Sequence, residues 1–233
     1  MKYQIMLLFA LCVLISACEK VTNVKLIDSP TAGKLSYQLS DDAGKGVAGV
    51  KVSVYDTEPY FTTGVPNPNS LVGTVRTDVN GIAYFPDLLA KNYLLITDSV
   101  TVNKVKYLAD DIVQVVAGTE KKKNIKVSEF SGLLNITLIS NIDYRTPLKN
   151  LGVVAYPINV GQPNSNNVRN FINEAVLKGV TDANGFVSIK VPSNVSFDFI
   201  VYNLTNNNLG YGYGNFRVVK GGTMVTSLYS YPF

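Results

Sequence analysis

One segment of this chain is written twice. Thr77-Asp78-Val79-Asn80-Gly81-Ile82-Ala83-Tyr84-Phe85 is matched about a hundred residues later by Thr181-Asp182-Ala183-Asn184-Gly185-Phe186-Val187-Ser188-Ile189. Upstream segments match in the same order: Gly33-Lys34-Leu35 with Gly132-Leu133-Leu134, and Val50-Lys51-Val52-Ser53-Val54-Tyr55 with Leu151-Gly152-Val153-Val154-Ala155-Tyr156. Within each copy apolar residues alternate with polar ones in short runs bounded by Gly, Asn, Asp and Pro, as in Leu35, Tyr37, Leu39 and again Val50, Val52, Val54. A period of two is the mark of half-buried antiparallel strands. Further strands are expected at Ile82–Phe85, Tyr93–Ile96, Val105–Tyr107, Ile112–Val116 and Ile125–Val127. Only Phe171–Leu177 could form a turn or two of helix. The reading is an all-β chain of two tandem antiparallel β-sandwiches, residues 32–128 and 131–233, meeting near Ser128 to Ser131.

The repeated motif has a physical reason that needs no ligand. Asn80-Gly81 and Asn184-Gly185 tolerate positive φ in a tight hairpin, and Asp78 and Asp182 can accept backbone amides across it. A calcium site is the alternative, since Asp-x-Asn places two oxygens close together. No glutamate follows at a ligand-like spacing, which favours hairpin geometry.

The N-terminus reads as an address. Lys2 precedes an apolar run, Ile5 to Ile15, that is too short to span a bilayer, where a helix needs roughly 20 residues. The run ends in Ile15-Ser16-Ala17-Cys18, which resembles the lipobox of bacterial lipoproteins. The resemblance implies a signal peptide of residues 1–17, cleavage between Ala17 and Cys18, and acyl chains such as palmitate on Cys18. An ordinary secretory peptide is the alternative. Residues 18–31, with Pro30 and small polar side chains, read as a lipidated tether. Glu19, standing where inner-membrane retention would have Asp, favours the outer membrane. Whether the protein faces the cell surface or the periplasm is left open.

Composition removes chemistry. The 233 residues contain two Cys, no His and no Trp. Cys12 lies in the signal and Cys18 is the lipid site, so no disulfide is expected. Without His there is no Ser-His-Asp triad, Cys-His pair or imidazole metal site. Carboxylate pairs could still cleave glycosides, but Asp41-Asp42 and Asp110-Asp111 sit beside turn residues and read as solvated loop positions. No catalytic residue, metal or cofactor is assigned. The formal charge of +4 comes with one basic run, Lys121-Lys122-Lys123, read as a solvated turn, and nucleic acid is excluded as a partner.

The order of strands around "GVKVSVY", "TDVNGIAYF" and "NYLLIT" resembles the prealbumin-like, or transthyretin-like, β-sandwiches grouped as carboxypeptidase-regulatory-like and Cna-B-like domains. Residues 33–127 fit that pattern well and 132–228 more loosely. The resemblance implies an Ig-like fold and is nearly silent on function. Lys34 and Lys51 fall on the polar phase of their strands, so the Lys–Asn crosslink of some Cna-B-like domains is not expected.

Loops on a rigid sandwich are where binding usually resides. Tyr60 and Phe61 in the long loop Asp56–Ser70, and Tyr211 and Tyr213 in Leu209-Gly210-Tyr211-Gly212-Tyr213-Gly214-Asn215-Phe216, are candidate binding residues. Filling the core or capping the sandwich is their alternative role. Asp98-Ser99-Val100 matches a short O-glycosylation pattern of Bacteroidota. The expected function is a cell-envelope lipoprotein that binds a protein or glycan partner, as an adhesion or accessory module of an outer-membrane complex. A fimbrillin-like structural subunit is one alternative and a carboxylate-dependent glycan-active enzyme another.

Overall fold

The computed structural model describes residues 30–58, 68–160, 163, 167–206 and 208–232, with the backbone alone at 211–213. The expected lipid site, Ala17 and Cys18, and the aromatic loop pair Tyr60 and Phe61 lie outside the described residues.

The first copy contains nine strands: β1 (Ala32–Ser40), β2 (Lys51–Asp56), β3 (Leu71–Arg76), β4 (Ile82–Leu89), β5 (Asn92–Thr97), β6 (Val100–Val102), β7 (Val105–Tyr107), β8 (Asp110–Gln114) and β9 (Glu120–Lys126). The second contains β10 (Ser131–Ser140), β11 (Leu151–Pro157), helix α1 (Val168–Glu174), β12 (Lys178–Val180), β13 (Phe186–Pro192), β14 (Ser196–Asn203), β15 (Leu209–Arg217) and β16 (Thr223–Ser230). The sheets β4-β1-β9 and β3-β2-β5-β8 of the first copy recur strand for strand as β13-β10-β16 and β12-β11-β14-β15 in the second. Among the described residues no ladder joins one copy to the other, and they form two β-sandwiches of the same topology. Alternation builds both cores: Leu35, Tyr37 and Leu39 of β1 are fully buried, and so are Leu134, Ile136 and Leu138 of β10.

Three expectations are corrected. The pairing is not antiparallel throughout, because each copy's first strand runs parallel to its last, β1 with β9 and β10 with β16. Lys121, Lys122 and Lys123 lie within β9 rather than in a turn. The Asp-x-Asn-Gly motif does not close a hairpin either: β3 and β4 belong to different sheets, as do β12 and β13. It is an arch that carries the chain from one layer to the other.

The arch explains why the motif is repeated in full. Asp78 Oδ1 accepts the amides of Asn80 (2.8 Å) and Ile82 (2.9 Å), and Asp182 Oδ1 those of Asn184 (2.8 Å) and Phe186 (2.9 Å). Of the Asn-Gly pairs only Gly81 and Gly185 adopt positive φ, at 78° and 71°. Thr77 is buried and donates through Oγ1 to the Val47 carbonyl while accepting the Val50 amide; Thr181 does the same between Leu148 and Leu151. The threonine therefore fastens the loop between the first two strands to the arch. Neither Thr77 nor Thr181 stands out from sequence as more than a strand end. Thr181→Val keeps the shape but leaves a buried carbonyl and amide unpaired, so it is expected to cost roughly 2–3 kcal/mol. Chemical denaturation would measure it, and a loss like that of an exposed Thr→Val control would refute the role.

The copies differ after β5 and its counterpart β14: hairpin β6–β7 lies between β5 and β8, with no counterpart among the described residues between β14 and β15. In the second copy α1 lies between β11 and β12. Val168 and Ile172, one turn apart, lay α1 on the outer face of β11 and β14 against Val154, Tyr156, Ile200 and Tyr202. Seven residues of helix have little stability of their own; this second small core holds α1 in place. Lys178 Nζ donates to the carbonyls of Ile172 and Asn173 at its C-terminus.

Candidate functional site

The two sandwiches are pinned together at the segment that links them. After β9 a 3-10 turn, Val127–Glu129, delivers Phe130 into the first sandwich's core, where its side chain is fully buried. The Phe130 carbonyl accepts the amide of Ser193 from the second sandwich (2.9 Å), and Lys220 Nζ lies 3.9 Å from its ring centroid. Asn194, at φ 61°, donates through Nδ2 to both carboxylate oxygens of Asp110 (2.9 Å each), and Arg217 donates to Asn194 Oδ1 (3.2 Å). Asp111 pairs with Lys123 at 2.6 Å. These two acids, expected as solvated loop residues, are half-buried in β8: Asp110 holds structure across the junction, and Asp111 ties β8 to β9 within the first sandwich.

Hairpin β6–β7 is aimed at the second sandwich by its own turn. Asn103 and Lys104 both have positive φ, 51° and 64°, the geometry of a tight I′ turn. Asp42 fixes the hairpin by accepting hydrogen bonds from Asn103 Nδ2 (3.1 Å) and from the Ser128 hydroxyl in the linker. It is exposed by area, yet it is a fastening point rather than a free loop acid. Burial, with the Asp42 carboxylate adding to it, raises the Tyr107 phenol above its ordinary pKa.

Between this hairpin and the α1 face lies a cleft of about 980 Å³. The first sandwich contributes Val105, Tyr107 and Leu108; the second contributes Tyr156, Phe171 and Leu177. Tyr156 and Phe171 meet edge to face at 5.6 Å and 89°. Lys104, Lys106 and Glu174 also line the cleft and are exposed to solvent. Ser99 of the Asp-Ser-Val pattern lies on the same wall. An apolar, aromatic floor with a few polar groups is the usual composition of a ligand site.

Among the described residues, no three His, Cys, Asp or Glu side chains group to hold a metal ion, and no helix is long and apolar enough to cross a membrane. Several acids are already engaged. Asp41 accepts the amides of Ala43 and Lys45, and Asp56 pairs with Lys91. The Thr146 hydroxyl and neighbouring amides hold the Asp143 carboxyl down at about 2. A general acid at neutral pH needs the opposite shift.

The cleft does not bring together the aromatic residues expected from sequence. Tyr211 and Tyr213 are placed by backbone alone in β15, Tyr211 opposite Ile200 of β14. Their neighbour Phe216 packs at 5.1 Å against Phe199 of the core. Strand β15 pairs with β14 and not with β16, so the connection between β15 and β16 is a second change of sheet. No cleft residue stood out as a candidate. The available signal was difference between the copies: the cleft walls include hairpin β6–β7, which breaks the repeat.

No protein-family model matches the chain, and no curated protein does. Solved structures share some of its shape. The TIE protein of Bacillus anthracis is 18% identical at a TM-score of 0.35, over 86% of this chain and 34% of its own. The chain thus spans about a third of that protein. A minor pilin of Streptococcus agalactiae is 14% identical at 0.33 (86% and 96%), and the shaft pilin spaA of Lactobacillus rhamnosus GG 13% at 0.30 (88% and 98%). The fold described above rests on its own strand order, not on these likenesses.

Proposed function

We propose that this chain is a non-catalytic binding module of the bacterial cell envelope, held on the outer membrane by lipid at Cys18, which engages a protein or glycan partner through the cleft between its sandwiches. The observation that carries the reading is the cleft itself, built between hairpin β6–β7 of one sandwich and the α1 face of the other. Apolar and aromatic side chains suit the apolar face of a sugar or a short hydrophobic peptide segment. Asp41, Asp42, Asp56, Asp110, Asp111 and Asp143 support a role without catalysis, since they are engaged in turns, ion pairs and the junction. Assembly of copies into a structural subunit is the second reading, favoured by the uncharged last strand of the second sandwich.

The test is affinity capture from detergent-solubilised membranes, with Val176→Arg as the variant. Val176 lines the cleft and is 49% exposed, so arginine there fills the site without disturbing a core. Loss of the captured partner is expected with Val176→Arg, and not with Tyr60→Ala/Phe61→Ala. An unchanged partner set with Val176→Arg would refute the cleft. The anchor is tested separately. Cys18→Ser is expected to leave the protein unprocessed or released from membranes, and processed, membrane-bound Cys18→Ser protein would refute lipidation.

A further inference from the structure

The duplicated topology supplies an internal comparison of edges. In both sandwiches the last strand is the outer strand of a three-stranded sheet, β9 beside β1 and β16 beside β10. Among the described residues each bonds to one neighbouring strand and presents its other row of amides and carbonyls outward, a template for a further strand unless something blocks it. Strand β9 is blocked. Its sequence, Glu120-Lys121-Lys122-Lys123-Asn124-Ile125-Lys126, is dominated by lysine, and like charges repel an incoming copy. Strand β16 occupies the same place with Thr223-Met224-Val225-Thr226-Ser227-Leu228-Tyr229-Ser230. It has no charge, no proline and no glycine. The fold is the same at both edges, so the difference lies in the sequence alone.

The sheet face beside that edge is uncharged along β16 and β10, and Lys190 of β13 is the first charge on it. Thr223, Val225, Ser227 and Tyr229 point outward in register with Leu133, Asn135, Thr137 and Ile139 of β10. Val225 is 72% exposed and Tyr229 55%, and Tyr144 stacks on Tyr229 at 5.4 Å between centroids. In the first sandwich the matching row of β9 is Glu120, Lys122, Asn124 and Lys126.

We propose that the free edge of β16 pairs antiparallel with β16 of a second copy of this chain, closing a two-fold dimer. The partner strand must be as neutral as β16, and β16 meets that requirement itself. A register centred on Ser227 sets Val225 opposite Tyr229 of the other copy at both ends, β-branched against aromatic, a favourable cross-strand pair. No charge opposes another anywhere along the contact. Two three-stranded sheets then become one of six, within the common range. Of the two last-strand edges only that of β16 is unguarded, and an isologous contact closes on itself without growing a filament. The dimer is independent of what the cleft binds.

The experiment is sedimentation equilibrium of the full chain in density-matched detergent, with micelles in excess so that shared micelles do not mimic pairing. Wild type is expected to be a dimer. Val225→Lys and Ser227→Lys place charge on the exposed face and edge, and each is expected to weaken association at least tenfold while circular dichroism and melting stay those of wild type. Ser227→Cys is expected to form a disulfide-linked dimer under mild oxidation, and Asn124→Cys on the lysine-guarded edge is not. A monomeric wild type, a dimer indifferent to both lysines, or equal crosslinking through positions 227 and 124 would each overturn the proposal.

Discussion

Phe130→Ala is expected to cost roughly 3–5 kcal/mol, the usual range for emptying a fully buried phenylalanine site. The residue follows the last strand of the first sandwich, yet its ring is part of that sandwich's core. Its carbonyl and the face of its ring are held by Ser193 and Lys220 of the second sandwich. Truncation therefore opens a cavity in one core and slackens the seam to the other. In a sandwich of about a hundred residues each kcal/mol moves the midpoint by roughly 4–8 °C, so its thermal unfolding should begin more than about 10 °C early. The first sandwich is expected to melt ahead of the second. Two controls separate the causes: Lys220→Ala removes only the cation over the ring, worth about 0.5–1 kcal/mol at an open site, and Phe130→Leu keeps most of the volume. If Phe130→Ala cost no more than Lys220→Ala, the ring would not be the pin described here.

The fold was legible in sequence to the extent that its determinants are local. Alternation at Leu35, Tyr37 and Leu39 names the buried face of β1 whatever strand lies beside it, and duplication announces two domains of one kind. Partners are not local. Asp-x-Asn-Gly has the same Asx bonds and the same left-handed glycine in a hairpin as in an arch, and only the distant strand across from β4, which is β1, distinguishes them. The parallel pairing of first and last strands was hidden for the same reason. Lys121 to Lys123 looked like a turn because charge ordinarily marks solvent; an edge strand is also a place where charge protects. Asp42 and Asp110 looked like loop acids because their partners, Ser128 and Asn194, lie more than eighty positions away. The cleft was invisible for a further reason. Val105, Tyr156 and Phe171 read as parts of an expected strand, a repeated strand and an expected turn of helix, and only the approach of hairpin β6–β7 to the α1 face makes one surface of them.

The glycine of the arch gives the other large expected effect, and three positions make it a graded test. Gly44, Gly185 and Gly81 all have positive φ, 83°, 71° and 78°, so alanine at any of them meets the left-handed penalty of roughly 1–2 kcal/mol. They differ in room. A Cβ at Gly44 would meet nothing within 4 Å, one at Gly185 would stand 2.5 Å from the Leu138 carbonyl oxygen, and one at Gly81 would stand 2.2 Å from that of Leu39 and 2.7 Å from the Val47 amide. The obstacles at Gly81 and Gly185 include backbone that cannot rotate away. The Leu39 amide donates to the Gly81 carbonyl at 2.8 Å, and Leu138 to Gly185 likewise, so separating arch from strand breaks the bond that joins them. Forced overpacking adds roughly 1–3 kcal/mol. Gly44→Ala is thus expected to be mild, Gly185→Ala severe, and Gly81→Ala the most damaging, with a loss of about 3–5 kcal/mol by denaturant titration. The order is the sharp part: if all three cost the same, φ alone would explain the glycines, and the close approach of arch to strand would have no part in why the motif is repeated.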